Sequence, residues 1–435
     1  MFIIGEAVKS RYCMNEIGED LVIYSGKFHI YSDIQLKCDG VLYYKLSEPV
    51  SINFSAKIYK FEDLSEIDLI NFSKEATLEI SGYKLMSIEI ESINNGEIIG
   101  YVNDNVIKSK DNSVQYIQFD ILNMDKIPGK LVNYDDLVYA GRLEFKVNDY
   151  KITIDKSYNY NKDFHNRLVS RNGSVITHTG KIEKYDGTMF NTRNIYKLIT
   201  QLSIALSFSC GRFIAIPNCF GYSNSKEVYR SWHKMYSNNY QFVFNWTSTI
   251  SNYYNFEKYL SLMTKKLEET YYFDAFSSIL DWYVESLNGI NMGNNIISIQ
   301  TALEMLSYVV LVELERVFSR EEYDNRAANQ NIRELLKFCS IDHDIPFAVS
   351  GRNYNSKIKM DSVDLITQYR NIVVHPSKKN HNIHLDFEEM WNIVLCGISY
   401  IELVILYIIN YRGEYTNRFK DLRFGDVETV PWSKK

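Results

Sequence analysis

The chain has 435 residues, of which 46% are hydrophobic and 23% are charged. This length predicts two or three domains with substantial cores, and this composition excludes a disordered chain, a collagen and a coiled-coil fibre. The formal net charge of -6 excludes a generally basic nucleic-acid coat, so an RNA or DNA site has to be a local basic patch.

The cysteines and the N-terminus indicate the compartment. The six cysteines are dispersed and form no C-x-x-C pair, so we expect free thiols in a reducing environment. The N-terminal residues Met1-Phe-Ile-Ile-Gly-Glu6 place an acidic side chain where a secretory signal peptide needs a long apolar run. These features predict a soluble, cytoplasmic protein.

Residues 1–190 consist of short alternating or β-branched runs separated by turn residues. Residues 85–93 alternate between apolar and polar and are followed by Asn94-Asn95-Gly96, a pattern typical of a half-exposed antiparallel strand and its turn. Asn148 and Asp149 separate two further strand-like runs and predict a hairpin. We therefore predict a mostly antiparallel β domain over 1–190, either a sandwich or an open barrel.

The spacing of apolar residues becomes helical from Thr192. Ile195, Leu198, Ile199 and Leu202 share one face of a helix that Gly211 should end. A short β-like stretch follows, from 213 to about 244. We interpret residues 191–254 as a mixed junction segment.

Residues 255–435 predict an all-α bundle. Apolar stripes at helical spacing indicate helices around 256–267, 276–287, 299–317 and 332–336, and two more over 362–374 and 387–410. The fold class is therefore α+β, with a β-rich N-terminal half and a helical C-terminal half.

The last of these helices is apolar enough to require comparison with a membrane span. Residues 393–409 contain a single charged side chain, Glu402. A spanning helix needs about 20 apolar residues, and an acid near its centre costs roughly 2.5–3.5 kcal/mol on insertion. We therefore expect a helix buried in the bundle rather than one in a membrane.

One short segment of the helical half combines residues suited to chemistry, Gln368-Tyr-Arg-Asn-Ile-Val-Val-His-Pro376. Asn371 and His375 are four residues apart and share a helix face, with Arg370 beside them. Pro376 disfavours helical backbone at His375, so the imidazole should lie where the helix ends. We expect Ile372, Val373 and Val374 to anchor this turn in the core. Phosphodiester cleavage needs such a pairing, because His moves protons and Arg stabilises charge on phosphorus.

A basic loop follows this helix in an otherwise acidic protein. Lys378, Lys379 and His381 are candidates for holding an RNA backbone. The alternative is a solvated turn between two helices, with Arg370 and His375 acting only as a helix-capping pair.

Other motifs give weaker signals. His375, His381 and His384 lack the i, i+4 spacing of a helical zinc pair, so we predict no metal site and no cofactor. No G-x-G-x-x-G, P-loop or G-x-S-x-G motif occurs. The stretch 155–162 is polar and aromatic and is suited to a ligand, but we interpret it as a loop between strands.

The segment Arg370-Asn-Ile-Val-Val-His375 resembles the R-N-x-x-x-H form of the ribonuclease motif of HEPN domains. Together with the β-rich first half and the junction segment Leu206-Ser-Phe-Ser-Cys-Gly-Arg-Phe213, it resembles the ApeA-type antiphage HEPN proteins. That resemblance implies a C-terminal HEPN-like helical bundle and a metal-independent endoribonuclease toxin of abortive infection, an antiviral defence. It also implies that two copies pair, as a homodimer or a higher even oligomer.

The resemblance also implies roles for individual residues. His375 would be the general acid or base for attack by the ribose 2′-hydroxyl, Arg370 would stabilise the phosphate, and Asn371 would orient the phosphate or the imidazole. Glu304, on an earlier helix, is a candidate to brace Arg370. The resemblance also implies a phage-derived trigger at the N-terminal domain, which would have a sensing or regulatory role. We expect no membrane partner. The alternative function is a non-catalytic HEPN module that binds RNA or protein.

Overall fold

The computed structural model describes residues 5–12, 16–46, 49–60, 74–344, 361–375, 387–420 and 423–434. The chain divides into two compact units. The β unit comprises residues 1–200 and 214–242, and the helical unit comprises 201–213 and 243–435. The predicted succession of an antiparallel β region and a helical region is confirmed.

Six strands of the β unit form a closed barrel in the order β1-β2-β3-β6-β5-β4. Its strands are β1 (Leu21–Tyr31), β2 (Gln35–Lys45), β3 (Ser51–Lys60), β4 (Glu75–Glu79), β5 (Met86–Asn94) and β6 (Glu97–Val102). The pairing of β4 with β1 closes the sheet, whereas the sequence predicted a sandwich or an open barrel. Buried and exposed residues alternate along β1 and β2. The buried ones are aliphatic and aromatic side chains that fill the interior of the barrel.

Two glycines let neighbouring barrel strands come close together. A β-carbon on Gly40 would lie 2.4 Å from Cβ of Ala56, its partner on β3. A β-carbon on Gly100 would lie 2.7 Å from the ring of Phe54. Both distances are below van der Waals contact, so these positions need glycine.

The β unit also contains an eight-stranded sheet in the order β10-β11-β12-β13-β9-β15-β16-β7. Its strands are β7 (Val106–Lys108), β9 (Tyr116–Leu122), β10 (Lys130–Tyr134), β11 (Leu137–Val147), β12 (Tyr150–Lys156), β13 (Ile176–Lys184), β15 (Asn218–Ser223) and β16 (Lys226–His233). Two short strands, β8 (Ser113–Val114) and β14 (Phe190–Asn191), pair with each other. The predicted hairpins are confirmed, since Asn94 pairs with Glu97 and Val147 with Tyr150.

The position of β15 and β16 makes the division of the chain differ from the predicted boundaries. Both strands lie in the predicted junction, 191–254, and β15 pairs with β9 of the large sheet. The preceding helix, α2 (Ile195–Cys210), ends as predicted at Gly211, whose φ is +64°. An earlier helix, α1 (Lys162–Arg171), is capped by Asn161 and was not predicted.

The helical unit is built from seven further helices in the part of the chain that the structure describes. They are α3 (Tyr253–Lys266), α4 (Thr270–Asn288), α5 (Met292–Tyr308), α6 (Arg320–Asp324), α7 (Ala328–Phe338), α8 (Ser362–Val374) and α9 (Phe387–Ile408). A π-helical turn, Val309–Leu314, extends α5, and the hairpin β17 (Glu414–Tyr415) and β18 (Glu428–Thr429) follows α9.

Helix α5 is the centre of this unit, because α4, α7, α8 and α9 all pack against it. Gly397 of α9 faces Ile299 of α5 so closely that a β-carbon there would lie 2.2 Å from Ile299 Cγ2. This close approach buries α9 along most of its length.

Among the residues that the structure describes, two helical segments are long and apolar enough to cross a membrane by composition alone, Met292–Leu314 and Phe387–Ile408. Within their most apolar windows, 67% and 78% of the residues are buried in the fold. Core helices have this character. The five cysteines within the described ranges, Cys38, Cys210, Cys219, Cys339 and Cys396, are free and buried.

Candidate functional site

The site predicted from sequence lies at the C-terminal end of helix α8, and an ionic cluster fixes the start of that helix. Asp361 caps α8 by accepting a hydrogen bond from the amide of Asp364 at 2.9 Å. Arg333 of α7 donates from Nε to Asp361 at 2.6 Å and from Nη2 to Asp364 at 2.7 Å. Burial would raise the pKa of Asp361, but the hydrogen bonds from Arg333 and the Asp364 amide lower it below its usual value.

The middle of α8 is held by buried contacts. Val363, Leu365, Ile366 and Tyr369 are buried on one face, as the spacing of apolar residues predicts. Ser362 shares a 2.5 Å hydrogen bond with the hydroxyl of Tyr400 on α9. The hydroxyl of Tyr369 donates to Glu389 on α9 at 3.2 Å. Helix α8 is therefore a rigid support for the residues at its end.

The three predicted catalytic residues lie together at that end. Arg370 is half-buried and donates from Nη1 to Oδ1 of Asn371 at 3.3 Å. The backbone amide of His375 donates to the carbonyl of Asn371 at 2.9 Å, which completes the last turn. The side chains of Asn371 and His375 are exposed. His375 itself has φ −116° and ψ 89°, so the helix ends there as the following proline predicts.

The apolar residues beside them, Ile372, Val373 and Val374, are less buried than predicted. Val373 and Val374 are 36% and 37% exposed, and Ile372 is half-buried, so the prediction that all three anchor the turn in the core is wrong. Of the three, only Val373 has the helical spacing that continues the buried face of Ile366 and Tyr369, because three consecutive residues cannot share one helix face. Val373 lies next to Gly293, at the start of α5.

Glu304 has a different neighbour from the one predicted. Its carboxylate accepts a 2.7 Å hydrogen bond from Nε2 of Gln300, one turn earlier on α5. Within the described ranges, Glu304 and Arg370 form no ion pair. The proposal that Glu304 braces Arg370 therefore stays a prediction, and no contact between the two described side chains supports it.

The basic loop that follows α8 is not part of the described structure. Lys378, Lys379 and His381 fall in the range 376–386, outside the described residues. Within the ranges that are described, no three His, Cys, Asp or Glu side chains are grouped as metal ligands.

Sequence reasoning missed the residues that position the site. Arg333 lies about 30 residues before the acids that it binds, and Glu389 lies 20 residues after Tyr369. The only local signal was Asp361 directly before a helical run with an acid three residues later, which resembles a helix start.

Chemically, the end of α8 presents a permanent cation, an amide and an imidazole to solvent from one helical turn. An imidazole can exchange protons near neutral pH, and a guanidinium can bind the oxygens of a phosphate. The arrangement suits recognition of a phosphodiester and proton transfer at it.

Comparison with known proteins gives two family models and one relative. The model of the YopA central domain matches residues 109–243, and that of the YopA C-terminal domain matches 269–429. The chain is 29% identical over 451 residues to the SPbeta prophage-derived uncharacterized protein YopA of Bacillus subtilis (strain 168), covering 99% of each chain. No solved structure matches. The central-domain match begins after the barrel. The C-terminal match includes α8 together with Arg370, Asn371 and His375.

Proposed function

We propose that this protein is a metal-independent endoribonuclease of the HEPN type, cytoplasmic and acting in abortive antiphage defence. The observation that carries the proposal is the grouping of Arg370, Asn371 and His375 on the last turn of α8, next to solvent. None of the three is among the buried residues of α8, so burial in the core does not account for their grouping.

The setting of this turn supports the proposal. A HEPN-like bundle places the motif on a late helix, followed by one last apolar helix, and α8 and α9 have that order here. The relative's description as prophage-derived places that protein in a phage-borne setting, which is compatible with a role during infection.

The proposed reaction is an internal transesterification of RNA. The imidazole of His375 removes the proton of a ribose 2′-hydroxyl, and the oxygen attacks the adjacent phosphorus. The bond from phosphorus to the 5′-oxygen breaks, and a protonated imidazole returns a proton to that oxygen. The products are a 2′,3′-cyclic phosphate and a 5′-hydroxyl. Arg370 stabilises the charge that develops on the phosphate oxygens, and Asn371 orients the phosphate or the imidazole.

The reaction needs one group that removes a proton and one that returns it, and two histidines can supply the base and the acid. In the proposed homodimer, His375 of a second copy supplies the other imidazole, so that both copies line one cleft. Lys378, Lys379 and His381 would hold the RNA backbone beside it. The trigger is proposed to be phage-derived and to act through the β unit.

The test is cleavage of end-labelled RNA by the purified full chain in EDTA. We expect 2′,3′-cyclic phosphate ends from the wild type and their loss in His375→Ala and in Arg370→Ala. Arg320→Ala is the matched control, because that arginine is exposed on α6 of the same unit. Wild-type cleavage by both site variants would refute the assignment. A mobility shift of RNA without cleavage would favour the alternative, a non-catalytic binding module.

A further inference from the structure

A second group of charged and aromatic side chains lies in the β unit, where β12 ends and the segment 157–161 leads into α1. Lys156 is the last residue of β12, and Tyr158 and Tyr160 follow it. Tyr139 comes from β11, and Lys126 lies between β9 and β10. We call these five residues the lysine–tyrosine cluster.

The ammonium groups of the cluster lie over ring faces. Lys126 Nζ lies 4.9 Å from the centre of the Tyr160 ring and donates to the carbonyl of Asn161 at 3.1 Å. Lys156 Nζ lies 5.1 Å from the centre of the Tyr139 ring. Among the residues with a described placement, no carboxylate is within ion-pair distance of either ammonium. Two positive charges are thus balanced only by ring faces and a carbonyl dipole.

The nearest acids along the chain have other partners. Asp155 binds Arg142 through two hydrogen bonds of 2.8 Å and also accepts the amide of Val8. Asp125 accepts a hydrogen bond from the hydroxyl of Tyr240 at 3.0 Å. The two lysines therefore form a local excess of positive charge.

Partial burial of Lys156 adds to the cost of this excess. Burial lowers the pKa of Lys156, and burial together with the charge of Lys156 lowers the pKa of Lys126. His178 pairs with Lys156 across β12 and β13, and burial and the charge of Lys156 lower its pKa to about 3. The imidazole is therefore neutral and adds no further positive charge. An anion bound at the ammonium groups would relieve their repulsion.

The sheet provides room for Lys156. A β-carbon on Gly141 would lie 2.8 Å from Cβ of Lys156 and 3.5 Å from Cε. The aliphatic stem of Lys156 therefore lies over a glycine, and the hydroxyl of Tyr139 donates to the carbonyl of Lys156 at 2.6 Å. These contacts fix the direction of the lysine.

An exposed ring, that of Tyr158, lies beside Tyr139, the tyrosine over which Lys156 lies. Tyr158 is 42% exposed, and its ring lies parallel to that of Tyr134, with centres 4.9 Å apart. Tyr139 lies 6.2 Å away on a tilted plane. An exposed tyrosine ring fixed by stacking is a surface on which a nucleobase can stack at little cost in side-chain entropy.

We propose that the lysine–tyrosine cluster binds a nucleotide, with the phosphate at Lys126 and Lys156 and the base against Tyr158. This site is separate from Arg370, Asn371 and His375, and the proposal does not depend on ribonuclease activity. Two ammonium groups match a phosphate of charge near −2. The neighbouring ring of Tyr158 favours a ligand that carries a base over inorganic phosphate alone.

The experiment is calorimetric titration of the full chain with 5′-AMP, inorganic phosphate and adenosine. We expect AMP to bind more tightly than phosphate, and adenosine not to bind measurably. Lys126→Gln and Lys156→Gln should each weaken AMP binding about tenfold or more, since each removes a charge-assisted hydrogen bond. Tyr158→Leu should weaken binding of AMP but leave that of phosphate unchanged.

The control is Lys146→Gln on β11, which removes an ammonium that lies 5.0 Å from another tyrosine ring, Tyr185. Binding by this variant should equal that of the wild type. Comparison of AMP with a 5′-phosphorylated RNA tetranucleotide distinguishes a free nucleotide from an RNA end. Absence of AMP binding, or equal binding by wild type and both lysine variants, would overturn the site. Phosphate binding that AMP does not improve would overturn the nucleotide.

Discussion

Arg418 donates two hydrogen bonds to the carboxylate of Glu402, from Nη2 to Oε1 at 2.5 Å and from Nε to Oε2 at 3.1 Å. Both side chains are 3% exposed. Oε1 of Glu402 also accepts hydrogen bonds from the hydroxyl of Tyr283 and the backbone amide of Trp246. The single charge of residues 393–409 is thus paired inside the helical unit, which is how an apolar stretch of a core helix carries an acid.

Removal of the carboxylate charge should destabilise the helical unit strongly. Glu402→Gln leaves the guanidinium of Arg418 buried without a counter-charge, and we expect the free energy of unfolding to fall by about 3 kcal/mol or more. Chemical denaturation followed by tryptophan fluorescence measures this loss, because Trp246 contacts the pair.

Two variants control this prediction. Glu269→Gln alters a surface ion pair with Lys266, in which the carboxylate is 61% exposed, and should change stability by less than about 0.5 kcal/mol. The double variant Glu402→Leu, Arg418→Met removes both charges and should be more stable than Glu402→Gln. A double variant as unstable as the single one would contradict the electrostatic explanation.

Loss of His375 should separate activity from stability. The side chain is exposed, and the backbone amide of His375 closes the last turn of α8. His375→Ala should therefore leave the melting temperature nearly unchanged while RNA cleavage falls at least about 100-fold. A marked fall in melting temperature with unchanged cleavage would support the capping role instead.

Periodicity in the sequence predicted the helices that carry the site. Helix α8 has the predicted bounds, 362–374, and α9 begins at the predicted Phe387, because apolar spacing and Pro376 act locally. Helix α1 was missed because Phe164 and Leu168 are its only buried residues. Barrel closure was not predictable, since it depends on pairing of β1 with β4, which lies about 50 residues further along the chain.

In the site too, local spacing was predictable from the sequence and long-range packing was not. Arg370, Asn371 and His375 lie together because one helical turn fixes their spacing, which the sequence contains. The partner of Glu304 is Gln300, four residues earlier, and a local partner at this spacing competes with any distant arginine. The ionic support from Arg333 depends on how α7 packs, which no local pattern encodes.

Gly397 should tolerate no side chain while Ile299 is present. A β-carbon at Gly397 would lie 2.2 Å from Ile299 Cγ2, so Gly397→Ala forces α9 and α5 apart. We expect a loss of about 1–3 kcal/mol in the free energy of unfolding. Ile299→Ala alone leaves a cavity and is also destabilising. The double variant should recover part of both losses, because the new methyl group enters that space, and purely additive losses would contradict this packing.

The ion pairs of Arg333 should make the stability of the helical unit depend on acid pH. Asp361 has a pKa below its usual value in the folded chain, against about 3.9 when unfolded. Its contribution is therefore present above about pH 4 and lost as the pH falls through the lower, folded value. Arg333→Gln removes this contribution, so we expect it to be less stable than wild type by about 2 kcal/mol at pH 7.

That difference should shrink as the pH falls below about 4, because protonated Asp361 gains little from the guanidinium. Urea denaturation of both proteins at pH 7, 5 and 3 measures it. Arg320→Gln is the control, since its pair with Asp324 is exposed and should contribute almost nothing at any pH. An undiminished difference at pH 3 would mean that Arg333 stabilises α7 and α8 by packing of its aliphatic stem rather than by charge.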